Sequence, residues 1–150
     1  NIDILQSKIS PAYMEAIYGK LWESNDEEDI NKYHQIRKVE PLEEALKKYS
    51  INCWVSGVRS QQTENRSKMK FIESIRNRLS LRPILGWTQK EIFYYMEDNK
   101  LPQHPLFAKG YSSIGDWHSS SAETENTKGR ATRFGGLKQE CGLHINDYQI

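Results

Sequence analysis

The sequence lacks the features that carry a protein into or across a membrane. Its 150 residues contain no apolar run that approaches the roughly 20 residues needed to span a bilayer. The first five residues have no basic stretch followed by an apolar one, so they do not form a signal peptide. They also lack an initiator methionine, which makes the chain a candidate fragment of a longer protein. We therefore expect a cytoplasmic protein with no membrane partner.

An excess of charge of one sign is also missing. The 21 basic and 20 acidic residues leave a net charge of +1, so the composition predicts no nucleic-acid partner. Any anion site must come from local clustering of cations. Hydrophobic residues make up 37% of the chain and charged residues 27%, which is typical of a globular domain. A chain of this length buries roughly 70% of the surface that it exposes when unfolded.

Cysteine is scarce, and its two positions differ in character. Cys53 lies in the apolar run 51–55 and is predicted to be a buried small hydrophobic residue. Cys141 lies in a polar, glycine-containing tail, so separate roles are favoured over a disulfide between the two. His144 follows Cys141 at a spacing that suits metal ligands, but no second Cys or His pair has matching spacing. We therefore predict no metal site.

Helices alternate with short apolar runs along the first hundred residues, a pattern that predicts an α/β architecture. The predicted helices and strands are Pro11–Glu23, Pro41–Tyr49 and Thr88–Asn99 for helices, and Ile51–Val55 and Leu81–Leu85 for strands. Thr88 and Glu91 form a capping-box pattern at the start of the last helix. From Pro102 to Arg130 the chain has no helical or alternating period and is predicted to be a long functional loop. We expect residues 1–128 to form one domain and residues 129–150 to form a mobile tail.

The tail contains the strongest candidate for a nucleophile. A thiolate forms at neutral pH only where a nearby cation or donor lowers the pKa of the thiol, and Lys138 and His144 are close to Cys141 along the chain. Gly142 leaves room beside the sulfur for a second molecule. A terminal segment with an incidental cysteine explains the same composition equally well.

Four arginines are candidates for an anion site. Arg59 and Arg66 lie in a polar segment directly after the predicted strand 51–55, and ligands of α/β sheets bind at the carboxyl ends of strands. Arg130 and Arg133 precede the cysteine, and the arginine fork matches phosphate and sulfate geometry. Each pair could equally be ordinary surface charge, and Lys38 is ambiguous in the same way. His104 and His118 are weaker candidates in the long loop.

Taken together and in order, these motifs resemble those of the assimilatory phosphoadenylyl-sulfate (PAPS) and adenylyl-sulfate (APS) reductases. The segment Glu140–His144 is similar to the family's carboxyl-terminal signature, and further matches cover nearly the whole chain. These matches are at Tyr18–Glu23, Arg37–Leu42, Gly57–Arg59 with Gln61 and Arg66, His104–Leu106, Gly110–Asp116 and Thr132–Phe134. The resemblance implies an adenine-nucleotide α-hydrolase-like (PP-loop ATPase-like) fold with a flexible carboxyl-terminal tail.

The resemblance also distinguishes the two branches of this family. The APS branch has cysteine pairs that hold a [4Fe–4S] cluster, and the corresponding positions here are Tyr33, His34, Asp116 and Ser119. Because such a cluster needs about four thiolates and the chain has two cysteines, the resemblance implies the PAPS branch. No bound cofactor is expected.

The resemblance implies a two-step reaction with thioredoxin (or glutaredoxin) as electron donor. Cys141 attacks the sulfonate of PAPS, releasing adenosine 3′,5′-bisphosphate and leaving an S-sulfocysteine, which the donor resolves to sulfite. The residues implied are Cys141 and His144 in catalysis and Lys38, Arg59, Arg66, Arg130 and Arg133 in substrate binding. The family also suggests a homodimer.

In one respect the sequence departs from the family pattern. Family members begin with a sheet-forming segment that contains a Ser/Gly-rich pyrophosphatase-type loop, and no such loop occurs here. This leaves two alternatives to the reductase: a non-catalytic module that binds a nucleotide or sulfate, and a related sulfonucleotide enzyme that passes sulfur to another acceptor.

Overall fold

A computed structural model describes residues 4–144. These residues form two compact units, one from residues before position 53 together with those from 140 onward, and one from residues 53–139. These limits differ from the predicted boundary between residues 128 and 129, and the mobility of the tail stays a prediction. Within residues 4–144, no helix has both the length and the apolar character that crossing a bilayer requires.

The first unit is helical, with α1 at Pro11–Tyr18, α2 at Glu27–His34 and α3 at Glu40–Lys48. Helix α1 starts where predicted, with the Ser10 hydroxyl accepting from the Tyr13 N–H at 3.1 Å. It ends five residues earlier than predicted because Gly19 adopts a φ of 73°, and only a 3₁₀ turn follows at Leu21–Glu23.

Helices α2 and α3 are joined by a π-helical turn at Gln35–Val39. Pro41 lies in the first turn of α3, where its missing N–H and its ring prevent a regular α-helical bond to the preceding turn. The wider π turn accommodates this break. The buried apolar side chains of this unit are Met14, Leu21, Ile30, Tyr33, Ile36, Val39 and Leu46, and His34 is buried with them.

The second unit contains a three-stranded sheet in the order β1–β3–β2. Strand β1 (Cys53–Val55) is parallel to β3 (Arg78–Leu81), and β2 (Ile72–Ile75) is antiparallel to β3. The α/β class is therefore confirmed, although the sheet is small. Strands β2 and β3 form a hairpin whose two turn residues, Arg76 and Asn77, both have positive φ, as a two-residue hairpin turn requires.

One of the two strand predictions was wrong, and one strand was not predicted. A strand was predicted at Leu81–Leu85, but β3 ends at Leu81 and the chain turns at Pro83. Strand β2 was not predicted from the sequence. Cys53 was expected to be buried, but it is exposed. Cys53 and Val55 lie on one face of β1, at the edge of the sheet, and the neighbouring Leu79 is also half exposed. The apolar run therefore reflects a strand with one open face among the described residues.

The capping box at the start of α5 (Gln89–Asp98) is confirmed, after the short α4 (Glu64–Ser67). The Thr88 hydroxyl accepts from the Glu91 N–H at 3.1 Å, and the Glu91 carboxylate accepts from the Thr88 N–H at 2.6 Å. Tyr95 of this helix is half exposed. Residues 102–130 form a long loop with only short 3₁₀ turns, as predicted.

Candidate functional site: a cation-lined pocket

A cavity of about 630 Å³ lies within the second unit. Its wall combines the segment after β1 with the long loop and the segment that follows it. Most of the side chains that line it are polar: Arg59, Gln61, Gln62, Gln89, Ser112, Ser113, Glu123, Lys128, Arg130 and Gln139. Three of these are cations and one is an acid, so the pocket has a net positive lining that suits an anion.

Arg59 reaches this pocket from the carboxyl end of β1. Its backbone N–H donates to the Gln62 amide oxygen at 3.0 Å, which fixes the turn at Ser60–Gln62. Burial first, and the charge of Arg66 second, lower the pKa of Arg59 below its usual value. A nearby like charge and desolvation both disfavour an isolated cation, so an anion bound here would relieve both effects.

Arg66 lies beneath this turn rather than in the wall. It is 6% exposed, and its guanidinium donates to the same Gln62 amide oxygen that accepts from Arg59. The Thr63 hydroxyl caps the short α4 by accepting from the Arg66 N–H at 3.2 Å. Arg66 therefore supports the position of Arg59 through Gln62.

Arg130 and Lys128 supply the other cations of the wall. They lie at the start of a kinked 3₁₀ segment, Gly129–Gly136. The Arg130 Nε donates to the Gln139 carbonyl at 3.0 Å, and its Nη2 donates to the same oxygen. This contact fixes the guanidinium at the side of the pocket formed by Gln139.

Arg133 is buried and bound to the long loop. Its Nη2 donates to the Ser119 hydroxyl at 2.9 Å and its Nε to the Ser119 carbonyl at 3.2 Å. A Cβ at position 115 would come within 2.0 Å of the guanidinium, so the close approach of Arg133 requires Gly115. Ser119 occupies a position where the resemblance places a cluster cysteine in the other branch, and here it accepts from an arginine.

Glu123 was missed by the sequence reasoning, although it forms part of the pocket wall. Its N–H donates to the Gly110 carbonyl at 2.9 Å, and its carboxylate accepts from the Gly129 N–H at 2.8 Å and from the Ser112 hydroxyl. The Ser112 hydrogen bond first, and the Gly129 bond second, hold the pKa of Glu123 below its usual value. No local pattern in the polar stretch around Glu123 could have singled it out.

The remaining predicted site residues, Lys38, Cys141 and His144, belong to the first unit. Lys38 is half-buried on the π-helical turn. Cys141 is a free, half-buried thiol, next to Gly142, whose φ is 80°. The structure thus brings Arg59 and Arg130 together in one pocket and buries Arg66 and Arg133 in the same unit.

The two weaker histidine candidates have local contacts. His104 accepts from the Leu106 N–H at 3.1 Å through Nδ1, and the ring of His118 packs near Trp117 and Phe134. Residues 4–144 contain no group of three or more Cys, His, Asp or Glu side chains that could hold a metal ion.

Comparison with known proteins identifies consistent similarities. Residues 1–122 match the family model described as the phosphoadenosine phosphosulfate reductase domain. A phosphoadenosine 5′-phosphosulfate reductase of Synechococcus sp. is 51% identical over 97% of this chain and 63% of its own length. One of Synechocystis sp. is 48% identical over 97% of this chain and 59% of its own.

A solved structure is also similar. The phosphate complex of phosphoadenylyl-sulfate (PAPS) reductase from Candida auris matches 79% of this chain and 56% of that chain, with a TM-score of 0.63 and 31% sequence identity. The chain thus spans less than two thirds of the length of these relatives.

Proposed function

The chain belongs to the phosphoadenosine phosphosulfate reductase family and has the PP-loop ATPase-like fold of that family, and we propose that it contributes the sulfur chemistry of a PAPS reductase in assimilatory sulfate reduction. The observation that carries the proposal is the pocket in which Arg59, Lys128 and Arg130 converge. PAPS combines a phosphosulfate anhydride with a 3′-phosphate, and arginine forks match both groups.

The reaction consists of two displacements. The Cys141 thiolate attacks the sulfonate sulfur of PAPS, so that an S–S bond forms as the S–O bond breaks and adenosine 3′,5′-bisphosphate leaves with the electron pair. A thiol of thioredoxin or glutaredoxin then attacks the Cys141 sulfur, and sulfite leaves with the electron pair of the broken S–S bond. The second thiol of the donor releases Cys141 from the mixed disulfide, so the donor dithiol supplies both electrons.

The pocket cations have a physical role in the first displacement. An anionic thiolate must approach an anionic sulfonate, and fixed positive charge offsets this repulsion and stabilises the charge on the leaving phosphate. Arg59 and Arg130 fill this role, while Arg66 and Arg133 hold the surrounding segments in place. Lys38 is proposed to bind the substrate, and His144 is proposed to act with Cys141 in catalysis.

Sequence connectivity supports a link between the thiol and the pocket. Gln139 lines the pocket, and Cys141 is two residues further along the chain. Consecutive Cα atoms are about 3.8 Å apart, so the reach required of the segment is short. The two displacements of the proposed mechanism use no iron–sulfur cluster. A [4Fe–4S] cluster takes about four thiolates, and the chain has two cysteines.

The test is formation of the covalent intermediate. The chain, and a chimera in which it replaces the matching part of the Synechococcus relative, would be incubated with PAPS without a reductant. Mass spectrometry of the intact protein and of its peptides should locate one sulfonate on Cys141. Cys53→Ser is the matched control and should keep the adduct, whereas Cys141→Ser should lose it.

Addition of reduced thioredoxin should then release sulfite in an amount equal to the adduct. Absence of an adduct from both the chain and the chimera would contradict the proposal. Release of a sulfur product other than sulfite would instead favour a related sulfonucleotide enzyme. A homodimer is part of the proposal, and sedimentation equilibrium should give twice the monomer mass.

A second candidate is a non-catalytic module that binds a nucleotide or sulfate. It is favoured by one observation: the cation-lined pocket is built entirely from residues 53–139, so anion binding does not require the thiol. Calorimetry with adenosine 3′,5′-bisphosphate distinguishes the two candidates. Binding that survives Cys141→Ser, in a chain and a chimera that form no sulfite, would identify the module.

A further inference from the structure

Glu123 has an unusual position, because it is the one acidic side chain among the described residues that line the pocket. The other charged residues there, Arg59, Lys128 and Arg130, suit an anion. A carboxylate in the same wall works against anion binding, since like charges near a protein surface repel. The Glu123 carboxylate therefore has a structural role in the wall, a functional role, or both.

The structural reason lies in three hydrogen bonds. The Glu123 N–H donates to the Gly110 carbonyl at 2.9 Å, and its carboxylate accepts from the Gly129 N–H at 2.8 Å and from the Ser112 hydroxyl. Gly110 and Ser112 belong to the loop segment Gly110–Asp116 on one side of the pocket, while Gly129 precedes Arg130 on the other. One side chain thus joins the two sides of the wall.

Hydrogen bonds alone do not require a carboxylate. An amide oxygen at the same position would accept from both Ser112 and Gly129, so a glutamine could form the same bridge. The negative charge is the part of Glu123 that the bridge does not explain. Lys128, whose charge also acts on Glu123, lies in the same wall, so the carboxylate offsets part of the positive charge that an incoming anion would meet.

We propose that Glu123 sets the anion affinity of the pocket in two opposite ways: it positions Ser112 and Arg130 by bridging the wall, and its charge weakens the hold on a bound anion. Glu123 is thus a positioning and affinity-determining residue rather than a catalytic one. This inference rests on the proposed function for the identity of the ligand, adenosine 3′,5′-bisphosphate, which leaves after the first displacement. A pocket with a wholly cationic wall would retain that product.

Two substitutions separate the bridge from the charge. Glu123→Gln keeps an acceptor for Ser112 and Gly129 and removes the charge, and we expect it to bind adenosine 3′,5′-bisphosphate about five-fold more tightly. Glu123→Ala removes both, and we expect it to bind about ten-fold more weakly than Glu123→Gln, since the wall is no longer joined. Calorimetry at two salt concentrations measures both effects, and the gain from Glu123→Gln should shrink at high salt.

A matched control lies two residues away. Glu125 is exposed and does not line the pocket, so Glu125→Gln makes the same change in net charge without touching the wall. It should leave the affinity within about two-fold of that of the parent chain. An equal gain in Glu125→Gln and Glu123→Gln would attribute the effect to net charge and overturn the proposal.

Hydrogen exchange provides a measurement that needs no ligand. The Gly129 amide should exchange slowly in the parent chain and in Glu123→Gln, and faster in Glu123→Ala. If Glu123→Gln weakens binding as much as Glu123→Ala does, the charge has no opposing effect and the proposal is wrong. If the parent chain binds neither the bisphosphate nor inorganic sulfate, the proposed function is wrong about the ligand. Separately, equal exchange rates of the Gly129 amide in the parent and in Glu123→Ala would show that Glu123 does not bridge the wall.

Discussion

The second unit contains two groups of arginines that lie in very different surroundings. Arg66, Arg82 and Arg133 are each 6% exposed or less, and protein oxygens accept from all three. Arg59 and Arg130 are half-buried in the wall of the pocket. A buried guanidinium whose donors face protein oxygens holds segments together, whereas one in a pocket wall is placed to meet a ligand. Residue type and motif do not distinguish the two groups, but burial does.

The largest loss of stability is expected where a buried arginine loses the carboxylate with which it forms an ion pair. Arg82 is fully buried and pairs with Glu73 at 2.8 Å. Glu73→Gln leaves that charge uncompensated and should lower the free energy of unfolding by about 3 kcal/mol. Urea unfolding followed by circular dichroism measures the change.

The matched control for Glu73→Gln is an exposed pair. Glu64 and Lys68 are 2.8 Å apart and largely exposed, so Glu64→Gln should lower the free energy of unfolding far less than Glu73→Gln does. Equal losses in the two variants would remove the distinction between buried and exposed charge on which the comparison depends.

The next effect is expected at the contact between Arg133 and Gly115. A Cβ at position 115 would lie within 2.0 Å of the guanidinium, so Gly115→Ala must displace Arg133 from Ser119. We expect a loss of about 2 kcal/mol in the free energy of unfolding, measured by urea unfolding. At Gly86 a Cβ would meet nothing within 4 Å, and Gly86→Ala should therefore change stability by less than about 1 kcal/mol.

Arg59 should behave in the opposite way to the buried group. Arg59→Met should change the free energy of unfolding by less than about 1 kcal/mol, since the residue is half-buried in a pocket wall. Its affinity for adenosine 3′,5′-bisphosphate should fall by about ten-fold or more, because a charge-assisted hydrogen bond is lost. Calorimetry and urea unfolding on the same preparation provide both values.

The exposed Lys70 is the control for Arg59, and Lys70→Met should change neither property appreciably. A large loss of stability in Arg59→Met, with unchanged ligand affinity, would place Arg59 among the buried, structural arginines.

The smallest effect concerns a charge that is fully exposed. Hydrogen bonds from Thr88, the backbone bond first, lower the pKa of Glu91 from its usual 4.5. A carboxyl whose pKa is lower when folded stabilises the fold above its unfolded pKa, and this contribution disappears as the pH falls through the folded value. The melting-temperature difference between the parent and Glu91→Gln should therefore shrink below about pH 4.5.

Glu97→Gln, near the carboxyl end of α5, controls for the loss of an exposed acidic charge without a capping bond. A difference between the parent and Glu91→Gln that stays constant from pH 7 to pH 3 would show that the capping carboxylate contributes nothing through its charge.

The sequence predicted what depends on short-range pattern. The capping box of Thr88 and Glu91, the amino-terminal end of α1 at Ser10 and Pro11, and the irregular loop of residues 102–130 depend on neighbouring residues, and all were found. The boundaries that failed depend on distant partners. β2 becomes a strand only by pairing with β3, and its own four residues have no strong alternation.

The site residues show the same division between those that local sequence predicted and those that only distant contacts bring to the pocket. Arginine in a segment after a strand predicted an anion site at Arg59, and the pocket has that residue in its wall. Glu123, Ser112 and Lys128 were not found, because each becomes part of the wall only when the long loop folds back on the segment at Gly129. The spacing of residues along the chain does not indicate that contact between the loop and the segment at Gly129.

By itself, the sequence determined the family, the α/β class and the supply of cations, because each of these depends on residue identity and local order. Only the tertiary structure decided which arginines line a cavity and which are buried, and that an acidic residue closes the wall. The physical reason is that burial arises from residues far apart in the chain, and burial decides whether an arginine packs inside the fold or lines a cavity.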